Sequence, residues 1–256
     1  MSMRIGLIGY GQISSFLLEK INSEHLLPGR KITHVYSQRT EDFTQLNRRY
    51  DVQGESEWEQ FLNHPFDLVV EASTIETASM TIKGLLSRGI PVVISSIGMF
   101  ADPQRFVTLQ QLAEEKKATI YLPSGAIGGL DLIRSAQALQ GLKEVTLRTT
   151  KPPTALPTGV PSTQAQLLFS GSAAEAIKHY PRNMNVAIAL SLAGIGIERT
   201  QVEVWVDPAI EKNTHEIKAI GEFGKMQFVV ENEPMPNNEK TSLLAAWSVF
   251  EKIQSV

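Results

Sequence analysis

The chain has 256 residues, with 24 lysine and arginine residues against 27 aspartate and glutamate residues, and a formal net charge of −3. This balance provides no basic field for a polyanion, which argues against nucleic acid as a partner. The sequence contains no cysteine, so disulfide bonds and thiolate metal sites are excluded. The start does not resemble a signal peptide, and the most apolar stretch, residues 185–197, is shorter than the roughly 18 to 20 residues of a spanning helix. We therefore expect a cytoplasmic protein with no membrane partner.

Short β-rich runs alternate with helical patterns from residue 3 to about residue 123. The strand-like runs read RIGLIG, ITHVYS, DLVVEA, PVVIS and TIYLP. Such alternation is typical of a doubly wound parallel sheet with helices on both faces. The sequence therefore predicts an α/β domain of the Rossmann type over residues 1–123.

The pattern changes after residue 125. A helix is predicted over residues 130–140, and a Pro-rich loop over 151–163 precedes two further helical stretches. The strand-like runs in this half read EVTLRTT, TQVEVWV, THEIKAI and KMQFVV. This order predicts a smaller α+β domain with a mostly antiparallel sheet, followed by an amphipathic C-terminal helix.

The first chemical motif is the glycine turn GLIGYGQIS, which follows the first strand. Gly9 permits a tight bend and Gly11 lets the backbone approach a pyrophosphate, while Ser14 occupies the position where a third glycine is usual. The turn predicts dinucleotide binding, with Gln12 and Ile13 also beside the cofactor. The alternative is an ordinary glycine-rich connection between a strand and a helix.

The second strand ends in VYSQRT, where NAD-binding domains usually carry an acidic residue. Ser37 takes the place of that acid and Arg39 follows, so nothing repels a 2′-phosphate and a cation is at hand. The cofactor is therefore predicted to be NADP or NAD, with NADP favoured. The alternative is that Arg39 is a solvated surface residue and that Glu41 or Asp42 reaches the ribose.

Small residues follow two later strands, at the sheet edge where doubly wound folds bind ligands. Ala72, Ser73 and Ser95 are small enough to let the nicotinamide half approach. Glu71 is interpreted either as a ligand contact or as a charge favoured near a helix start.

The segment LPSGAIGGLD, residues 122–131, is rich in small residues directly after a strand. Its backbone amides are able to approach a ligand closely, which makes Ser124 and Ala126 candidate binding residues. The alternative is a glycine-rich hinge between domains.

Five motifs occur in an order and style that resemble the L-aspartate dehydrogenase family. They are PSGAIGGLD, TTKPP, PRNMNVA, DPAIEKNTHEI and NEKTSLLAAWS, and the resemblance covers essentially the whole chain. It implies a substrate and dimerisation domain over residues 124–236, a helix over 237–256 that returns to the Rossmann domain, and a homodimer. It also implies reversible oxidation of L-aspartate to iminoaspartate, which hydrolyses to oxaloacetate and ammonia or feeds NAD biosynthesis. Ser14 and Ser37 depart from the family pattern, so the cofactor preference transfers least well.

The resemblance also implies site residues. His215 matches the histidine of the family's N-x-H-E motif and is predicted to be the catalytic group, because imidazole exchanges protons near neutral pH. Candidate ligands for a small dicarboxylate amino acid are Lys151, Asn185, Asn213 and the segment from Ser124. The alternatives are a histidine satisfied within its sheet, an exposed Lys151 and an Asn213 that caps a turn.

Metal binding is not predicted, because no pair among the remaining histidines has the sequence spacing of a metal site. Two other interpretations of the function remain open, and a third is disfavoured. The chain is alternatively a dehydrogenase of another small amino acid or keto acid. It is also conceivable as a non-catalytic NADP-binding redox regulator. A sugar dehydrogenase is disfavoured, because SSIGM stands where that group carries E-K-P.

Overall fold

A computed structural model of the chain describes residues 2–155, 163–180, 184–236 and 238–256. The chain divides into two compact units. Unit 1 comprises Met1–Pro123 and Val249–Val256, and unit 2 comprises Ser124–Ser248. Residues 156–162 of the predicted Pro-rich loop and residues 181–183 of the PRNMNVA motif lie outside the described residues.

Unit 1 is built on a six-stranded parallel sheet. Its strands are β1 (Met3–Ile8), β2 (Arg30–Tyr36), β3 (Gln53–Glu55), β4 (Leu68–Glu71), β5 (Val92–Ile94) and β6 (Ile120–Tyr121). They pair in the order β3-β2-β1-β4-β5-β6, with every pair parallel. Every residue of β4 and β5 is buried, as expected for a parallel sheet covered on both faces. The predicted Rossmann-type doubly wound sheet is thus confirmed.

The helices of unit 1 lie between its strands in the sequence, and the last two of those named next begin at a side-chain cap. They are α1 (Gln12–Leu18), which continues as a π-helical segment (Glu19–Ser23), α2 (Phe43–Tyr50), α3 (Trp58–Leu62), α4 (Ile75–Ser87) and α5 (Pro103–Lys116). The Thr74 hydroxyl accepts a hydrogen bond from the Thr77 amide at the start of α4. The Asp102 carboxylate caps α5, whose first residue is Pro103.

Unit 2 contains a five-stranded mixed sheet. Its strands are β7 (Leu142–Lys151), β8 (Gln166–Ser172), β9 (Gln201–Val206), β10 (Asn213–Gly221) and β11 (Gly224–Asn232), in the order β11-β10-β7-β9-β8. All neighbours are antiparallel except β7 and β9, which confirms a mostly antiparallel sheet. The helices are α6 (Leu130–Ala138), α7 (Ala173–His179) and α8 (Asn185–Ala193), and a short hairpin joins β12 (Pro234–Met235) to β13 (Asn238–Ser242).

The last helix, α9 (Leu243–Ser255), begins in unit 2 and ends in unit 1. Val249 and Ile253 are buried in the core of unit 1, where Phe250 meets Phe16 edge-on. The helix predicted from residue 237 begins later than expected, because residues 238–242 pair with β12 as a strand. Among the described residues, no helix is both long and apolar enough to span a membrane.

Candidate functional site

The glycine turn after β1 has room for a ligand. Gly9 has a φ of +91°, and a Cβ atom there would lie 2.7 Å from the Ala72 carbonyl oxygen, so the turn itself requires glycine. At Gly11 a Cβ would meet no described atom within 4 Å. The fold therefore does not need glycine at this position, and the open space fits the close approach of a pyrophosphate.

The residues that follow Gly11 divide into an exposed and a packed set. Gln12 is exposed, whereas the side chain of Ile13 packs against the core of unit 1, so Ile13 offers a cofactor only its backbone. Ser14 is fully buried, with its hydroxyl 3.5 Å from the Ala72 carbonyl oxygen. The extra hydroxyl is thus accommodated where a third glycine is usual.

Arg39 lies beside the glycine turn. Its guanidinium carbon is 5.7 Å from the ring centroid of Tyr10, the residue between the two turn glycines. Its Nε atom is 3.6 Å from the Asp42 carboxylate, which offsets part of the positive charge of Arg39. Asp42 is one of the two acids that the alternative interpretation places at the ribose. The Ser37 hydroxyl accepts a hydrogen bond from the Arg39 amide at 3.1 Å, so Ser37 orders the segment that carries Arg39.

A buried carboxylate joins the loops that follow β4 and β5. Glu71 is fully buried and accepts hydrogen bonds from the amide and hydroxyl of Ser73 and from those of Ser96, all between 2.7 and 2.9 Å. Burial raises the pKa of Glu71, and the four donors act in the opposite direction. Glu71 therefore links the two loops, a structural role that the sequence did not predict.

The same link limits what the neighbouring serines are able to offer a ligand. The Ser73 hydroxyl is already donated to Glu71, and the Ser95 amide donates to the Glu71 carbonyl oxygen at 2.9 Å. Ala72, Ser73 and Ser95 are all half-buried at the carboxyl edge of the sheet. These residues would therefore offer a cofactor mainly their backbone atoms, and the bonds to Glu71 hold Ser73 and Ser95 in place.

In unit 2, a cluster of polar groups lies on one face of the mixed sheet. His215 of β10 pairs in register with Thr149 of β7, and its Nδ1 atom is 3.1 Å from the Thr149 hydroxyl oxygen. Lys151 and Asn213 each lie two residues from this pair, and residues two apart on a strand share a face. That face is buried further along the same strands, at Leu147 and Ile217.

This cluster is basic and contains no acid. His215 is only 8% exposed, and burial, with a smaller contribution from the Lys151 charge, lowers its pKa to about 4. Burial likewise lowers the pKa of Lys151. Within the described residues, neither side chain forms an ion pair with a carboxylate, and the buried Asn213 Oδ1 atom has no hydrogen-bond partner. The geometry suits an anionic ligand that also carries a hydrogen-bond donor.

The segment after Pro123 is fixed to the same end of this sheet. Asn232, which pairs with Asn213 at the start of β10, donates from Nδ2 to the Ala126 carbonyl oxygen at 3.2 Å. The Ser248 hydroxyl accepts from the Gly125 amide at 3.0 Å. Ala126 is buried and Ser124 is half-buried; both belong to unit 2, and the cofactor role of Ala126 stays a prediction.

The site in the structure differs in two ways from the site predicted from the sequence. Asn185, at the first position of α8, is exposed, and no described contact joins it to His215. Thr149 and Asn232 were not predicted, although both are buried and hold predicted site residues in place. Thr149 stands inside the TTKPP motif, which was the only sequence signal that pointed to it.

Two family models together match most of the chain. One describes the C-terminal part of aspartate dehydrogenase and matches residues 131–256. The other describes the NAD-binding domain of homoserine dehydrogenase and matches residues 9–123. The L-aspartate dehydrogenase of Methanocella arvoryzae is 38% identical over 99% of this chain and 96% of its own length. The chain belongs to the L-aspartate dehydrogenase family.

Further similarity agrees with this membership. The L-aspartate dehydrogenase of Methanosarcina barkeri is 42% identical over 74% of this chain and 73% of its own length. The crystal structure of aspartate dehydrogenase from Thermotoga maritima superposes with a TM-score of 0.81 at 27% identity, covering 100% of this chain and 97% of that one. The family resemblance inferred from the sequence motifs is thus confirmed.

Proposed function

We propose that this member of the L-aspartate dehydrogenase family catalyses the reversible, NAD(P)-dependent oxidative deamination of L-aspartate to oxaloacetate and ammonia. The observation that carries the proposal is the position of Lys151 and His215 on one sheet face, where no described carboxylate forms an ion pair with either side chain. A half-buried lysine on the same face as a buried histidine favours a ligand with negative charge, and a dicarboxylate supplies it.

In the proposed mechanism, Lys151 holds a substrate carboxylate and fixes the orientation of the substrate Cα. Asn213 Oδ1, which is buried without a described partner, accepts a hydrogen bond from the substrate ammonium group. These contacts hold the reacting carbon in one geometry, which is the main way in which binding residues accelerate such a reaction.

His215 is the general base, and then the general acid, of the proposed reaction. With the Thr149 hydroxyl engaged at Nδ1, the Nε2 atom accepts a proton from the substrate amine as the C–H bond at Cα breaks. Once that proton has passed to solvent, the same atom removes a proton from the water that attacks the imine carbon and delivers it to the nitrogen, so that the C–N bond breaks and ammonia leaves. The bound dicarboxylate raises the pKa of His215 from about 4, because nearby negative charge favours the imidazolium form.

The hydride acceptor would be supplied by a bound nicotinamide dinucleotide. The residues that would hold it are Gly9, Gly11 and Gln12 at the pyrophosphate, together with Ser37 and Arg39 at the ribose. The positive φ of Gly9 and the open space at Gly11 support this placement.

Initial rates of oxaloacetate reduction test the proposal. Absorbance at the reduced-nicotinamide band is followed with and without ammonium, using NADPH and NADH separately. The expected result is turnover that depends on ammonium, with L-aspartate as the product. Turnover without ammonium would indicate a keto-acid reductase, and binding of both cofactors without turnover would favour the redox regulator.

NADP is the preferred cofactor in this proposal, since Arg39 beside the glycine turn is able to pair with a 2′-phosphate. Arg39→Ala is expected to weaken NADPH binding about 10-fold while changing NADH binding less than about twofold. Fluorescence titration of both cofactors measures the ratio. Equal losses for NADPH and NADH would contradict the assignment. The matched control is Arg49→Ala, because Arg49 also lies over a tyrosine ring, that of Tyr50, and pairs with Glu19.

The remaining expectations stay predictions. They are a homodimer, a cytoplasmic location, no nucleic-acid or membrane partner, and substrate contacts by Ser124 and Asn185. Activity towards another small amino acid is the second candidate function, because no described residue of the cluster distinguishes substrates by the length of their side chain.

A further inference from the structure

Two histidines that are distant in sequence lie against each other in unit 1. His34 is in β2 and His64 follows α3, and their rings stack with centroids 3.7 Å apart at an interplanar angle of 29°. The carboxylate of Glu55, the last residue of β3, lies 3.4 Å from His64 Nε2. One ligand atom from each of these three residues lies within 4.8 Å of the other two.

The strand register explains why these groups meet. His34 pairs with Gln53, and Tyr36 pairs with Glu55, between the parallel strands β2 and β3. Paired residues and residues two apart share a face, so His34, Gln53 and Glu55 project from the same side of the sheet. The Gln53 Oε1 atom is 3.0 Å from His34 Nε2, which adds a fourth donor atom.

We propose that His34, Glu55 and His64 form a site for a divalent transition-metal ion of the zinc class. Two imidazole nitrogens and one carboxylate oxygen are a ligand set that zinc accepts, whereas Mg²⁺ and Ca²⁺ favour oxygen ligands alone. Gln53 or a water molecule completes four-fold coordination. The site is separate from the proposed reaction and does not rest on it.

Side-chain rotations are needed to bring the ligand atoms of the three residues into tetrahedral coordination of one ion. Neighbouring ligand atoms around a tetrahedral zinc ion lie about 3.4 Å apart, given bond lengths of roughly 2.0 to 2.2 Å. The distance between His64 Nε2 and Glu55 Oε1 already has this value. To direct both lone pairs at one ion, the two rings open from their stack, and His34 exchanges its hydrogen bond with Gln53 for the metal.

The surroundings support binding. The Phe66 ring packs edge-on against His34, with centroids 5.6 Å apart, and covers one side of the cluster. His34, Glu55 and His64 are half-buried, which leaves an entry path from solvent. Burial and the neighbouring His64 lower the pKa of His34, which favours the neutral imidazole that a metal requires.

A bound ion would brace the edge of the sheet beside the predicted ribose residue. The Glu55 carbonyl oxygen accepts a hydrogen bond from the Ser37 amide at 3.0 Å. The ion would therefore link β2, β3 and the segment after α3, next to the point where β2 ends. Since only the folded chain brings the three ligands together, binding raises the temperature of unfolding.

Metal titration of the tag-free, metal-stripped protein tests the site. Zn²⁺ binding is measured by calorimetry, Co²⁺ coordination by visible absorption and stability by thermal unfolding. The expected result is one ion per chain with a tetrahedral Co²⁺ spectrum and a higher Tm. His64→Gln and Glu55→Gln are each expected to weaken binding at least about 10-fold. His179→Gln is the matched control, because His179 is exposed on α7 and should leave binding unchanged.

Two results would overturn the proposal: no binding at millimolar Zn²⁺, or equal affinity in the wild type and in both ligand variants. Far-UV circular dichroism of the metal-free variants reports whether they fold. Imidazole NMR signals of the wild-type protein provide a readout that needs no variant. Zn²⁺ should shift the signals of His34 and His64, and a shift confined to other histidines would refute the site.

Discussion

At the scale of single residues, an imidazole buried beside a lysine makes folding depend on pH. The pKa of His215 is about 4 in the folded protein, against an ordinary value of 6.5. As the pH falls below 6.5, the unfolded chain therefore binds a proton that the folded protein does not bind until the pH is near 4. Acid then destabilises the fold, because stability falls with decreasing pH wherever the unfolded state holds more protons.

This linkage is measurable by comparison with a variant. Between pH 7 and pH 5, the free energy of unfolding of the wild type should fall by about 2 kcal/mol more than that of His215→Asn. Urea denaturation of both proteins at the two pH values gives the difference. An identical fall in both would mean that His215 titrates normally in the folded protein.

Thr149 is expected to position His215 through the hydrogen bond to Nδ1. Thr149→Val keeps the side-chain shape and removes the hydroxyl, so kcat should fall about 10-fold, the equivalent of one hydrogen bond. Thr149→Ser retains the hydroxyl and should preserve most of the activity. Steady-state rates of both variants, with cofactor affinity as a control, decide whether the hydroxyl or the packing matters.

The sequence pointed to His215 and Lys151 through their motifs, but it did not point to the groups that hold site residues in place. The bond between Thr149 and His215 depends on the register of β7 against β10. Asn232 reaches Ala126 across more than one hundred residues of sequence. Such contacts are set by tertiary packing, and local residue patterns carry no signal for them.

At the scale of elements, Glu71 connects the ends of β4 and β5. Glu71→Gln replaces an acceptor-only group with an amide whose NH₂ faces serine amide donors. We expect a loss of stability of about 1 to 3 kcal/mol, the cost of leaving buried polar groups unpaired, and weaker cofactor binding. Chemical denaturation and cofactor titration measure the two effects, and Glu114→Gln, at an exposed position of α5, is the control.

Glu71→Gln with unchanged stability would mean that the Ser73 and Ser96 loops keep their conformation without this carboxylate. Unchanged stability together with lost cofactor binding would instead place Glu71 in direct contact with the cofactor.

The strands that were not predicted have one of two physical reasons: a weak strand pattern, or pairing that outweighs helix propensity. β3 has three residues, QGE, without a β-branched or aromatic side chain, and it lies at the sheet edge. β8 has no fully buried residue and ends in Ser-Gly-Ser, so its pattern is weak. β13 occupies the segment that was predicted as helix, because pairing with β12 outweighs helix propensity there. The strand-like runs named from the sequence correspond to β1, β2, β4, β5, β6, β7, β9, β10 and β11.

At the scale of the whole molecule, the alternation of strands and helices was sufficient to predict the two kinds of sheet. Five separate motifs identified the family, which the relatives confirm along the full chain. The cluster of His34, Glu55 and His64 was not predictable, since two of its members lie on β2 and on the unpredicted β3. Cofactor preference and oligomeric state stay predictions, because each depends on contacts with another molecule.

The proposed function joins one reaction to one cluster of residues, and ¹⁵N labelling tests both together. Oxaloacetate, ¹⁵N-ammonium and NADPH are incubated with the wild type or with His215→Asn, and the product is followed by NMR. We expect ¹⁵N-labelled L-aspartate from the wild type, formation at least about 100-fold slower with His215→Asn, and similar NADPH affinity for both proteins. Equal labelling by both proteins would remove His215 from the mechanism, and no label in aspartate from the wild type would contradict the proposed reaction.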